Sequence, residues 1–164
     1  MVRRVAIDRP ERVVGLILEA SPTTLRGDGR LQELVTSVVG GLEDPISLDF
    51  ARGVIRDTSS EDVPPEVVDE LAGELLKVPA RVWREVFADL LEYDDTDELG
   101  RIDAPALLLW GTADTLVTRA MQDELVNSIP GAELITYDGM GHTPRWDDPA
   151  RFSADIAAFV ERLR

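Results

Sequence analysis

Apolar positions in this chain follow two patterns. Val13–Glu19 and Ala106–Trp110 are almost unbroken apolar runs, and Glu133–Tyr137 is a third, more interrupted one. Turn residues bound each run: Pro10 and Ser21-Pro22 around the first, Gly111 after the second, Pro130-Gly131 before the third. Runs of this kind predict strands covered on both faces, as in a parallel sheet. Elsewhere the apolar residues recur at helical spacing. Residues 2–9 read as the tail of a helix stopped by Pro10, and Leu31, Leu34, Val35, Val38 and Val39 predict a helix ended by Gly40-Gly41. Ile46, Phe50 and Val54 predict a short helix after Pro45. Pro64-Pro65-Glu66 opens another carrying Val67, Leu71 and Leu75. Pro79 opens the clearest stripe, Val82/Trp83, Val86/Phe87 and Leu90/Leu91.

After the second strand, Thr118 is placed to cap a helix with Met121, Leu125 and Val126 inward. After the third, Asp147 or Asp148 caps and Pro149 opens a helix with Phe152, Ile156, Phe159, Val160 and Leu163 on one face. Thr23–Arg30, Asp57–Asp62 and Tyr93–Gly100 read as loops. The order is therefore strand, several helices, strand, helix, strand, helix. It predicts an α/β fold: a parallel sheet of about three strands with flanking helices and a helical insertion after the first. The core is expected in residues 1–22 and 93–164 and the insertion in 23–92.

Composition narrows the chemistry. The 164 residues are 44% hydrophobic and 30% charged, the balance of a globular chain. A net charge of −15 argues against nucleic acid as a partner, which needs a basic face. No cysteine is present, so no disulfide or thiolate metal site can form, and a single histidine rules out a histidine-rich metal site. Arg3-Arg4 before Val13–Leu18 faintly resembles a leader, but Asp8, Pro10, Glu11 and Arg12 interrupt it. No run reaches transmembrane length, so no membrane partner is expected and the cytoplasm is the expected location. The acidic stretch Asp94–Glu98 lacks the glycine and glutamate spacing of a calcium loop and reads as a solvated linker.

The one histidine, His142, follows the third strand in Asp138-Gly139-Met140-Gly141-His142, and Asp114 follows the second in Gly111-Thr112-Ala113-Asp114. In a parallel sheet both strand ends share an edge, so the two side chains can meet. A carboxylate on one imidazole nitrogen fixes the tautomer and frees the other nitrogen to take a proton from a nucleophile. Asp138 is a competing acid, in a turn that needs no catalytic role. Trp110 and Trp146 are candidates to line a pocket, with packing the equal alternative, and Trp83 and Phe87 are candidates to face an acyl-binding cavity.

Leu107–Asp114 and Gly141-His142-Thr143-Pro144-Arg145-Trp146-Asp147-Asp148-Pro149 together resemble the C-terminal half of the α/β-hydrolase fold family. Residues 8–18 resemble the segment after that family's nucleophile helix, and the helices between 30 and 92 resemble its cap. The resemblance implies Asp114 as triad acid, His142 as base, and hydrolysis of an ester, lactone or similar bond through an acyl-enzyme, with no cofactor. An apolar cap implies a small uncharged or acyl substrate. The departure from the family is the nucleophile. No Gly-x-Ser-x-Gly is present, and Ser21, Ser37, Ser47, Ser59, Ser60, Ser128 and Ser153 all lack the flanking glycines. Met1–Ala6 resembles the middle of the helix after the nucleophile elbow, so the chain is expected to begin inside the fold, with nucleophile and oxyanion hole upstream. An aspartate nucleophile of the dehalogenase or epoxide hydrolase kind, or a non-catalytic binding module, are the alternatives. The first strand would then have an unpaired edge, and a homo-oligomer, or association with the missing half through that edge, is expected.

Overall fold

The computed structural model describes residues 2–164; Met1, part of the segment likened above to a post-elbow helix, lies outside them. Three parallel strands form one sheet in the order β1 (Leu16–Glu19), β2 (Ala106–Gly111), β3 (Glu133–Tyr137). Leu16 to Glu19 pair with Ala106 to Leu109, and Leu107 to Gly111 pair with Glu133 to Tyr137. The expected α/β architecture is the observed one, with α1 (Val2–Asp8) preceding the sheet. Helices α2 (Gly29–Ser37), α3 (Leu48–Thr58), α4 (Pro65–Leu75) and α5 (Ala80–Glu92) lie between β1 and β2. Helix α6 (Arg119–Ser128) joins β2 to β3, and α7 (Pro144–Asp147) and α8 (Pro149–Arg162) follow. Among the described residues no helix is long and apolar enough to cross a membrane.

The chain divides into two compact units. The first comprises the residues up to Thr23, Thr58–Ser60 and Asp95–Arg164. Its sheet explains the unbroken apolar runs, because every residue of β2 is buried. Successive strand side chains point to opposite faces. Leu16, Leu18, Ala106 and Leu108 therefore pack with Ala6 and Ile7 of α1 and Leu125 of α6. On the other face Leu107, Leu109 and Tyr137 pack with Phe159, Phe152 and Ile156 of α8. The Tyr137 hydroxyl donates to Asp155 Oδ2 at 2.7 Å, tying α8 to the end of β3; burial, then that carboxylate, push the phenol above its usual pKa.

The second unit, Thr24–Asp57 and Glu61–Asp94, holds α2 to α5. Val39, Ile46, Ala80 and Trp83 form its core, with Phe50, Val54, Leu75 and Phe87 against it.

Several local expectations need correction. The first strand begins at Leu16, not Val13: a 3-10 turn over Pro10–Arg12 ends with Val13 N–H donating to Pro10 O, and Val14 is 80% exposed. The short helix expected after Pro45 is eleven residues long and continues through Gly53 to Thr58, into the predicted connector. Helix α2 stops at Ser37, and Val39–Gly41 is a separate 3-10 turn. Part of the Tyr93–Gly100 loop is a 3-10 turn over Thr96–Arg101. Leu34, Val38, Val86 and Val160, placed on buried faces by spacing, are exposed. Val86 and Val160 each lie one residue, hence about 100° of helix rotation, from Phe87 and Phe159, which pack inward.

Candidate active site

Two turns at the carboxyl ends of β2 and β3 carry the site. The β2 chain leaves the sheet at Gly111, where Asp114 N–H donates back to Gly111 O at 3.1 Å. The Asp114 carboxylate then closes the turn: Oδ1 accepts the backbone N–H of Leu116 at 2.8 Å and of Val117 at 3.0 Å. Trp110 secures the same turn, its indole N–H donating to Val117 O at 2.8 Å from a buried ring. Asp114 Oδ1 is thus saturated by backbone donors, and Oδ2 faces the other turn.

That second turn is stitched to the first. Thr112 N–H donates to Tyr137 O and Ala113 N–H to Met140 O, both at 2.9 Å. The Thr112 hydroxyl donates to Asp138 Oδ1 at 3.1 Å and accepts from Gly139 N–H at 2.8 Å. His142 Nδ1 lies 2.9 Å from Asp114 Oδ2. The aspartate side chain is wholly buried while the imidazole is 27% exposed. With Nδ1 on a carboxylate, the proton sits on Nδ1, and Nε2 is the ring nitrogen able to accept a proton from a reacting hydroxyl. Asp114 is the one hydrogen-bond partner of His142 among the described residues. None of the seven serines found in the sequence therefore binds it.

The remaining sequence candidates fall differently. Asp138 takes a hydrogen bond from Thr112 and none from His142. Trp110 is a buried anchor of the acid turn, with Ala20, Val117 and Met121 around it. Trp146 is half-buried and carries the Arg145 guanidinium 4.5 Å from its ring centre, and Arg145 also pairs with Glu19. Trp83 and Phe87 belong to the second unit. Trp83 meets Phe50 edge-on at 5.2 Å and stacks with Phe87 at 6.2 Å, and its buried indole N–H has no hydrogen-bond partner among the described residues. Of the two proposed caps, Asp148 caps α8, accepting Arg151 N–H at 3.0 Å. Asp147 instead accepts Gly141 N–H and Ser60 N–H.

The sequence did not single out Thr112 or Thr143, and offered Asp147 only as a cap, although all three hold the two turns in place. Thr112 was within reach as the residue after Gly111; nothing in the sequence links Asp147 to Ser60. Among the described residues no group of three His, Cys, Asp or Glu side chains gathers as a metal site.

A buried aspartate against a partly exposed histidine, at the carboxyl edge of a parallel sheet, is an arrangement in which a carboxylate can orient an imidazole for proton transfer. The sequence model of the alpha/beta hydrolase family matches residues 2–155, and the chain belongs to that family. Over 98% of its length the chain is 29% identical to a pimeloyl-[acyl-carrier protein] methyl ester esterase of Klebsiella pneumoniae, of which it covers 65%. A shorter match, 34% identical over 39% of the chain, is to a 2-hydroxy-6-oxononadienedioate/2-hydroxy-6-oxononatrienedioate hydrolase of Burkholderia vietnamiensis, 22% of which it covers. The fold agrees with that of a thermophilic esterase from Thermogutta terrifontis, with a TM-score of 0.84 at 20% identity, covering 99% of the chain and 61% of the esterase. The chain thus spans less than two thirds of the relatives it matches along its whole length.

Proposed function

We propose that this chain supplies the acid and base of a serine hydrolase acting on an ester, lactone or similar acyl bond. The observation that carries the reading is the 2.9 Å contact of His142 Nδ1 with the buried Asp114 carboxylate. His142 Nε2 takes the proton of the nucleophilic hydroxyl as it attacks the acyl carbon and returns it to the leaving alcohol. It then activates the water that releases the acid, while Asp114 stabilises each imidazolium. Nucleophile and oxyanion hole lie outside these 164 residues in this reading. Its support is that no serine sits in Gly-x-Ser-x-Gly and that the chain covers 65% of its esterase relative. The chain alone then gives no turnover.

The substrate proposed is a small uncharged or acyl compound. The apolar, aromatic core of the second unit around Trp83, Phe87 and Phe50 supports it, as does the esterase relative. The second unit is proposed as the family's cap, and the cytoplasm as the protein's location. Partnership through the sheet is proposed at β1, whose alternate backbone groups, at Ile17 and Glu19, face away from β2 at the edge of the three-stranded sheet.

The test is hydrolysis of a chromogenic short-chain ester by the natural full-length protein. His142→Ala is expected to lower kcat by about 10³-fold or more. Equal hydrolysis by wild type and variant removes the acid–base role.

A further inference from the structure

The backbone on either side of His142 is held by one distant stretch of chain. Thr143 donates twice to Thr58 O, from its backbone N–H at 3.0 Å and from its hydroxyl at 2.9 Å. The Ser59 hydroxyl lies 3.5 Å from the Thr143 hydroxyl. On the other flank the Asp147 carboxylate spans two segments: Oδ2 accepts Gly141 N–H at 3.0 Å and Oδ1 accepts Ser60 N–H at 2.9 Å. Gly141 is pressed onto the same stretch, since a Cβ there would lie 2.9 Å from the Ser59 carbonyl carbon and 3.0 Å from Thr58 O. Thr58–Ser60 belongs to the first unit, although the residues before and after it belong to the second.

We propose that Asp147, Thr143 and the strap Thr58–Ser60 form a positioning device for His142, holding its main chain so that Nδ1 stays on Asp114. The proposal rests on the reading of His142 as the base, and goes beyond it by assigning residues that make no hydrogen bond to the imidazole. Helix capping does not account for Asp147, because Asp148 does that work and both Asp147 oxygens are spent on bridging. Imidazole-to-carboxylate bonding weakens steeply with misalignment, so a loop pinned on only one side would lose the single tautomer. The strap adds a second hold on this loop, beyond the Met140 and Gly141 carbonyls that lie against Gly111.

His142 is the only histidine among these 164 residues, so the imidazole nitrogen-15 spectrum of this chain reports that residue alone. Wild type is expected to show one tautomer with a hydrogen-bonded Nδ1 proton far downfield. In Asp147→Asn, which offers one acceptor oxygen where Asp147 uses a separate oxygen for each N–H donor, that proton is expected to disappear and the tautomers to mix. Amide exchange at Gly141 and Ser60 should accelerate by about tenfold or more while β2 keeps its protection. A folded Asp147→Asn that keeps the Nδ1 proton and the single tautomer overturns the proposal. Should that variant not fold, wild-type exchange decides. Rates at Ser60, Gly141 and Thr143 within about threefold of one another support a common strap, and Ser60 exchanging about tenfold faster than Gly141 refutes it. Asp114→Asn separates the two readings. It should abolish the imidazole signature and leave Gly141 and Ser60 protected; an unaffected signature would sink the acid–base pair and not the strap.

Discussion

Gly111, the last residue of β2, and Gly141, the residue before the histidine, meet backbone to backbone. A Cβ on Gly111 would fall on the carbonyl oxygens of Gly141 and Met140, closer than real Cβ atoms come to other atoms. The histidine turn rests on the acid turn at this point. It can do so only because β2 ends in a residue with no side chain.

Gly111→Ala is therefore expected to destabilise the chain by about 1–3 kcal/mol, since backbone and not a flexible side chain must yield. It should also shift the Met140–His142 backbone off Asp114. Urea unfolding gives the first quantity, and loss of the single His142 tautomer in a still-folded sample reports the second. A variant of unchanged midpoint and unchanged imidazole spectrum would show that the two turns are not in contact.

Asp114→Asn is expected to keep the turn, since the side-chain oxygen can still accept from Leu116 and Val117. It loses the carboxylate that fixes the tautomer. In the natural full-length protein kcat should fall about 10⁴-fold with KM little changed, the pattern of an interaction realised in the transition state. Asp138→Asn, which leaves His142 untouched, should stay within about twofold of wild type. Equal losses in the two variants would show that Asp114 is not the acid.

How much of this was legible beforehand depends on range. The order of strands and helices followed from apolar periodicity, because β2 is buried on both faces and α8 on one. Asp114 and His142 could be paired because parallel topology places both strand ends on one edge. Element ends were less legible: α3 runs past Gly53 to Thr58 where the sequence offers a breaker and a polar connector. Asp147 looked like a cap because capping is local, whereas its actual partner Ser60 lies 87 residues away. For Trp110 the sequence left pocket lining and packing equally open; its indole N–H donates to Val117 O, seven residues on, from a buried ring. Asp114 and His142, 28 residues apart, could be paired because strand order alone brings them together; Asp147 and Ser60 have no such rule to join them.

Arg3 pairs with Asp95 at 2.7 Å, with both side chains almost wholly buried, and also donates to Pro22 O and Thr23 O. One guanidinium thus ties the chain just before it leaves the first unit at Thr23 to the point where it returns at Asp95. Arg3→Met removes the cation facing a buried carboxylate and is expected to cost about 3–5 kcal/mol. Adding Asp95→Leu to it should recover much of that loss, because an apolar pair needs no desolvated charge. Paired urea titrations decide, and a double variant as unstable as the single one would count against this account.

Acid should weaken the fold through three surface carboxylates. Hydrogen bonding from Arg4 holds Asp8 and Glu98 below their usual values, and hydrogen bonding from Arg52 does the same for Asp69. In the unfolded chain these groups titrate near their ordinary values of about 3.9 and 4.3. As pH falls through that range the unfolded state takes up protons first, so it binds more protons than the native state and stability drops. The contribution is complete above the unfolded values and is gone once pH falls below the lowered folded ones. All three pairs reach solvent, so salt should screen them. Urea midpoints measured from about pH 6 to pH 3 are expected to fall, less steeply in about 1 M salt. Arg4→Gln should flatten the slope by removing the partner shared by Asp8 and Glu98. A slope identical to wild type in that variant would place the acid sensitivity elsewhere.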